Sequence, residues 1–119
     1  MQAQLSGEQI QQIARQTAEN LPDVTHGYPF TKSLNVYKVV DKVFLIVTED
    51  PDELIITVKA DPHRAESLRR SFESIQPGRY LNKRHWISIG SGTGITADIV
   101  DDLVAGSYEL AGKKRASTV

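Results

Sequence analysis

LNVYKVVDKVFLIVTEDPDELIITVKA, running from Leu34 to Ala60, is the stretch that decides the fold. Val, Ile, Phe and Tyr crowd LNVYKVV and VFLIVT, and only Asp41-Lys42 parts them. β-Branched and aromatic side chains suit a pleated, half-buried surface, so this pair predicts a β-hairpin. EDPDE interrupts, LIITVKA resumes the pattern, and three antiparallel strands in succession are expected.

Downstream, Asp61-Pro62 supplies an N-cap followed by proline at the first helical position. Ala65, Leu68, Phe72 and Ile75 then mark the buried face of a second helix, from Pro62 to about Ser74. QPGRYLNK reads as a turn into another strand, His85 to Ile89, and GSGTG as a flexible loop. Thr96 caps a third helix, Ala97 to about Leu110, with Ile99, Val100, Leu103 and Leu110 facing the core and Gly112 as its C-cap. Upstream, Ser6 and Gln9 form a capping box, with Leu5 and Ile10 as its hydrophobic staple. Ile10, Ile13, Ala14, Ala18 and Leu21 share one stripe, which places helix one at Gly7 to Asn20, stopped by Pro22. DVTHGYPFTKS is a loop with a short extended piece at Val24 to His26. The expected order is α-β-β-β-α-β-α, an α+β domain with helices packed on an antiparallel sheet. One domain spans residues 1–119, its core at about 7–111 and 112–119 a flexible tail.

Composition bounds the function. The 119 residues hold 14 basic and 15 acidic side chains, a net charge of -1, and no cysteine. A length of this order buries enough surface without a disulfide or metal staple. Without cysteine there is no disulfide, thiolate zinc site or Cys nucleophile. MQAQLSGEQ is not a signal peptide, and the apolar run Val43 to Val47 is too short for a bilayer. A cytoplasmic, membrane-free monomer is the expectation. Phosphate neutralisation supplies most nucleic-acid affinity, so a balanced total needs an uneven distribution of charge to support such a partner.

Few residues suggest catalysis. His26, His63 and His85 have no metal spacing. EDPDE lacks the EF-hand frame and reads as a charged connector. Asp98, Asp101 and Asp102 suit the positive end of helix three. GSGTG lacks both the P-loop lysine and the G-x-G-x-x-G frame, and no serine sits in a nucleophile elbow. No catalytic residue, metal ligand or cofactor is assigned.

PGRYLNKRHW, Pro77 to Trp86, stands apart. No acidic residue occurs between Glu73 and Asp98, while Arg79, Lys83 and Arg84 are basic and Tyr80, His85 and Trp86 are interleaved with them. Arg79, Lys83 and Arg84 are candidate phosphate contacts, Asn82 a base-edge contact, and Tyr80 or Trp86 a stacking platform. The structural alternative has Trp86 buried as a core anchor and the cations keeping a turn soluble; burial is expected for Trp86.

The same run carries a resemblance. Pro77, Leu81, Asn82, Lys83, His85 and Trp86 match the P-x-x-x-L-N-K-x-H-W signature of the MmcQ/YjbR family of small bacterial proteins. Leu21-Pro22, Pro29-Phe30, VYKVVDKVF and VKADP support it, from about residue 7 to 111. Asp41 departs from the glycine common in the family's hairpin turn. The resemblance implies an α+β fold similar to frataxin and to a double-wing DNA-binding domain, a likeness of shape on which the family's DNA-binding label rests. Frataxin's iron handling is not carried over, since only EDPDE is densely acidic. The leading expectation is a non-enzymatic domain that binds DNA weakly through Arg79, Asn82, Lys83, Arg84 and His85, with Lys42 helping and Pro77, Leu81 and Trp86 structural. The alternatives are an anion or small-molecule pocket of Asn82, Lys83 and His85 floored by Trp86, and a protein-interaction adaptor.

Overall fold

The computed structural model describes residues 4–78 and 81–112. Its elements are α1 (Gly7–Glu19), β1 (Val24–Gly27), β2 (Leu34–Val39), β3 (Lys42–Thr48), β4 (Ile55–Lys59), α2 (Pro62–Ser71), β5 (Ile75–Pro77), β6 (Trp86–Ile89) and α3 (Ala97–Gly112). The six strands form one antiparallel sheet in the order β1-β2-β3-β4-β6-β5. This is an α+β fold, with two more strands than the sequence pattern announces. Among the described residues no helix is long and apolar enough to cross a membrane.

Local chemistry explains the helix starts. Ser6 Oγ accepts the Gln9 N–H while Gln9 returns a bond to the Ser6 N–H, closing the capping box. Asp61 accepts from the His63 N–H ahead of Pro62, and Thr96 Oγ1 accepts from the Ile99 N–H. α1 and α3 pack on one face of the sheet. There Ile10, Ala14 and Ala18 meet Val100, Leu103 and Val104 over Leu45, Val47, Ile56, Val58, Ile87 and Ile89. Complete burial of these side chains is the main stabilising term.

Several expectations need correction. The hairpin turn is Val40-Asp41, one residue earlier than Asp41-Lys42, and Lys42 opens β3. Both turn residues have positive φ, 50° and 66°. A two-residue turn with that pair of signs matches the strand twist, so Asp41 does what the family's glycine would do. α2 stops at Ser71, with Phe72 extended at φ -129° and ψ 121°. Ile75 therefore leaves the helix and enters β5 opposite Ile89, because the β6 edge offers it a ladder the helix cannot. Leu110 is 37% exposed, and the last turn of α3 buries Ser107 and Ala111 instead. Gly112 lies within α3 as its last described residue.

Two helix side chains complete the β3–β4 pair. Tyr37 pairs with Leu45 but Lys38 with Val43, so Phe44 is an extra, bulged residue. β3–β4 pairing begins only at Leu45 and Val58. Beyond it, the buried Ser107 hydroxyl accepts the Lys59 N–H at 2.8 Å and donates to the Phe44 carbonyl at 2.6 Å. At the opposite end, buried Gln11 donates to the Thr48 and Ile55 carbonyls. These bonds satisfy backbone groups that would otherwise be orphaned in the core.

Candidate nucleic-acid interface

Alternation along the strands sends Leu34, Val36, Ile46, Thr57, Lys59, Trp86 and Ser88 to the face opposite α1 and α3. The segment Leu81–His85 lies on this face. Leu81 packs on Leu34, Val36 and Ile46, forming a second small apolar cluster. Two strand spacings of about 4.8 Å separate β6, where the segment ends, from β3, so Leu81 reaches about 10 Å across the sheet. The segment thus straps the face rather than hanging from its edge.

Local bonds shape the strap. Asn82 Oδ1 accepts the Arg84 N–H at 2.8 Å, and the Asn82 carbonyl accepts the His85 N–H at 3.2 Å. This Asx-type turn employs the side-chain oxygen of Asn82. The His85 carbonyl accepts from Ala60 N–H, and the Trp86 carbonyl from Gly78 N–H, at 2.8 and 2.7 Å. Gly78 is required there, since a Cβ would come 2.5 Å from the Trp86 Cβ. Pro77 sits in the edge strand β5, where no ladder N–H is needed on its outer side.

Lys83 and Arg84 are exposed on the strap, and His85 is half-buried. Trp86 is also only half-buried and belongs to neither buried cluster, so the expected core anchor is not one. Its register partner is Lys59. Leu81 is the residue that anchors the segment. Arg79 and Tyr80 lie outside the described residues. Lys42 opens β3 at the end of the sheet where β4 finishes and β6 starts, so it shares that end with Lys59, Arg84 and His85.

The ion pairs among the described residues lie on the helix side, where Arg69 of α2 is nevertheless in none. On the helix side Arg15 pairs with Glu49 at 2.8 Å, Arg64 with Asp102 at 2.6 Å and Arg70 with Glu66 at 3.3 Å. Lys38, Lys42, Lys59, Lys83 and Arg84 are in no ion pair among the described residues. The acidic connector is structural: Glu49 also accepts from the Tyr28 hydroxyl, and Asp50 from the Asp52 N–H. Asp101 accepts from Thr17, and His26 stacks on Tyr37 with centroids 4.6 Å apart. Among the described residues no three His, Asp or Glu side chains converge as a metal site.

Between the strap and β4–β6–β5 lies a cleft of about 550 Å³. Glu53, Ile55, Ser74, Gln76, Lys83 and Ser88 line it. Of the expected pocket residues only Lys83 contributes. Asn82, His85 and Trp86 are not part of its lining.

The sequence profile of the YjbR family matches residues 19–110. The chain belongs to the YjbR family. A YjbR-family relative, the uncharacterized protein YbdF of Escherichia coli O157:H7, is 32% identical over 101 residues, covering 85% of this chain and 83% of that protein. The crystal structure of Deinococcus radiodurans protein DR2400, with domain DUF419, superposes with a TM-score of 0.77 at 33% identity, covering 85% of this chain and 77% of that one. A Pseudomonas syringae protein shares the fold at 23% identity, with a TM-score of 0.68 over 81% of this chain and 93% of its own.

Proposed function

We propose that this YjbR-family domain is a non-enzymatic nucleic-acid binder that grips the phosphate backbone with its strapped sheet face. The observation that carries the reading is the distribution of ion pairs: Arg15, Arg64 and Arg70 on the helix side are held by carboxylates, while among the described residues Lys42, Lys59, Lys83 and Arg84 are in no ion pair. Lys42 opens β3 and Arg84 precedes β6 at the same end of the sheet, an arrangement that suits contacts along one phosphate backbone. Asp41 beside Lys42 weakens the field at that corner, in keeping with modest affinity.

Four phosphate contacts imply that log K falls against log salt with a slope of about -3 to -4. Between about 50 and 200 mM salt the affinity should therefore drop about 100-fold. Fluorescence anisotropy with labelled duplex and single-stranded oligonucleotides reads this directly. Absence of binding to every oligonucleotide at low salt refutes the proposal.

A further inference from the structure

We infer that β1 is the edge at which two copies of this chain join, their β1 strands running antiparallel about a twofold axis. The sheet has two edges, β1 and β5, and they are not alike. Gly90 N–H donates to the Ser74 carbonyl and Gly78 N–H to the Trp86 carbonyl, so by alternation Ile75 and Pro77 turn their backbone outward from β5. The Ile75 N–H is spent on the Phe72 carbonyl and Pro77 has none, which leaves that edge without a donor. β1 is open. Its alternate residues turn N–H and carbonyl groups away from β2, and among the described residues nothing bonds to them. With β5 closed to it, β1 can extend the sheet only through a second β1, which gives a closed pair rather than a filament.

The surroundings of β1 are self-complementary. Of the four large apolar side chains left exposed among the described residues, Tyr28, Phe30 and Val40 flank this strand. Asp23 adjoins its Val24 end and Lys32 follows its Gly27 end, and neither is in an ion pair among the described residues. Antiparallel pairing sets each Asp23 end against the Lys32 end of the other copy, where the two charges attract. Register follows from strand alternation. Opposed residues must project to the same face, so the axis passes between two copies of one residue. Asp23, at φ 62°, breaks the strand before Val24, and the ladder can lengthen only past Gly27. His26 therefore lies on the axis, with Thr25 opposite the partner's Gly27 and Val24 opposite the partner's Tyr28. Phe30 is 66% and Tyr28 49% exposed, so the four rings offer about 350–600 Å² of cover. Even with the ladder backbone added, this falls short of the standard interface of about 1,200–2,000 Å², so the pair is weak and reversible. The axis is perpendicular to the sheet, which keeps both strapped faces on one side, whatever they bind.

Sedimentation equilibrium of the full chain from about 10 μM to about 1 mM should show monomer and dimer and nothing larger. Phe30→Ser should weaken the dimer about tenfold or more, and Lys32→Glu, which sets like charges at both ends, by about 2- to 30-fold. In the parent chain, amide NMR signals of Val24 to Tyr28 should shift with concentration while those of Ile75 and Gln76 stay fixed, a reading that needs no variant to fold. A monomer at 1 mM overturns the inference and leaves the edge to a strand from another protein. A dimer that neither substitution weakens, signals of Val24 to Tyr28 that stay fixed as it forms, or growth into larger species also overturns it.

Discussion

Replacing Ser107 by alanine removes one hydroxyl and strands two backbone groups. Ser107 is fully buried, and its oxygen both accepts the Lys59 N–H and donates to the Phe44 carbonyl. Water has no access to take its place. A buried polar group left without a partner costs about 1–3 kcal/mol, so two such groups set an upper bound of about 6 kcal/mol. Partial closure of the strands would recover some of this, although β3 and β4 do not pair beyond Leu45 and Val58. A loss of about 2–4 kcal/mol results, a large fraction of the 5–15 kcal/mol typical of a domain. At about 4 °C per kcal/mol for a chain of this size, the melting temperature should fall by about 8–16 °C. Urea unfolding should show a lower midpoint at an unchanged m-value. Tyr108→Phe, which removes an exposed bond to the Pro22 carbonyl, serves as the control and should cost about 1 kcal/mol or less. A Ser107→Ala midpoint within about 0.5 kcal/mol of the parent would show that the hydroxyl does not bridge the bulge.

Other perturbations follow from single features. Val40→Asn should stabilise by about 1 kcal/mol in urea unfolding, because a β-branched residue is strained at φ 50° and Val40, 40% exposed, has little burial to lose; destabilisation would contradict the turn assigned here. Gly78→Ala should lower stability by about 1–3 kcal/mol by driving a Cβ into Trp86, whereas Gly27→Ala, with nothing within 4 Å, should change it by less than about 0.5 kcal/mol. Burial first, and then the bond to Glu19, hold the Tyr37 hydroxyl far above the ordinary tyrosine range. The folded state therefore keeps a proton that the unfolded state releases above about pH 10. The stability from this group is complete below that pH and falls by up to about 1.4 kcal/mol per unit above it. Urea midpoints taken from about pH 8 to 11 should show a shallower alkaline decline in Tyr37→Phe than in the parent.

Much of the fold was legible because local chemistry and packing agreed. The capping box at Ser6 and Gln9, the Asp61-Pro62 start and the Leu34–Thr48 hairpin each carry their own signal, and the structure uses each one. The missing elements carry little. β5 is three residues ending in Pro77, and Ile75 happens to continue the spacing of Ala65, Leu68 and Phe72. Only pairing with β6, distant in sequence, makes it a strand. β1 is four residues, of which the extended piece at Val24 to His26 gave a hint.

The candidate site was legible as composition but not as geometry. The acid-free run drew attention to Lys83 and Arg84, and both are exposed. Nothing in the run says that Leu81 rather than Trp86 would anchor it, or that Asn82 would spend its carbonyl oxygen on Arg84. Lys59 went unnoticed as a site residue, since it joins the strap only through strand register. For Lys59, period-two alternation was the available signal, and it becomes readable once the strand order is known.

The most direct measurement is the salt dependence of oligonucleotide binding by the full chain and by its Lys83→Gln, Arg84→Gln double variant. Loss of two phosphate contacts should flatten the slope of log K against log salt by about 2, from about -3 to -4 in the parent, with melting temperatures unchanged. A slope that stays the same in the double variant would mean that the strap does not hold the backbone.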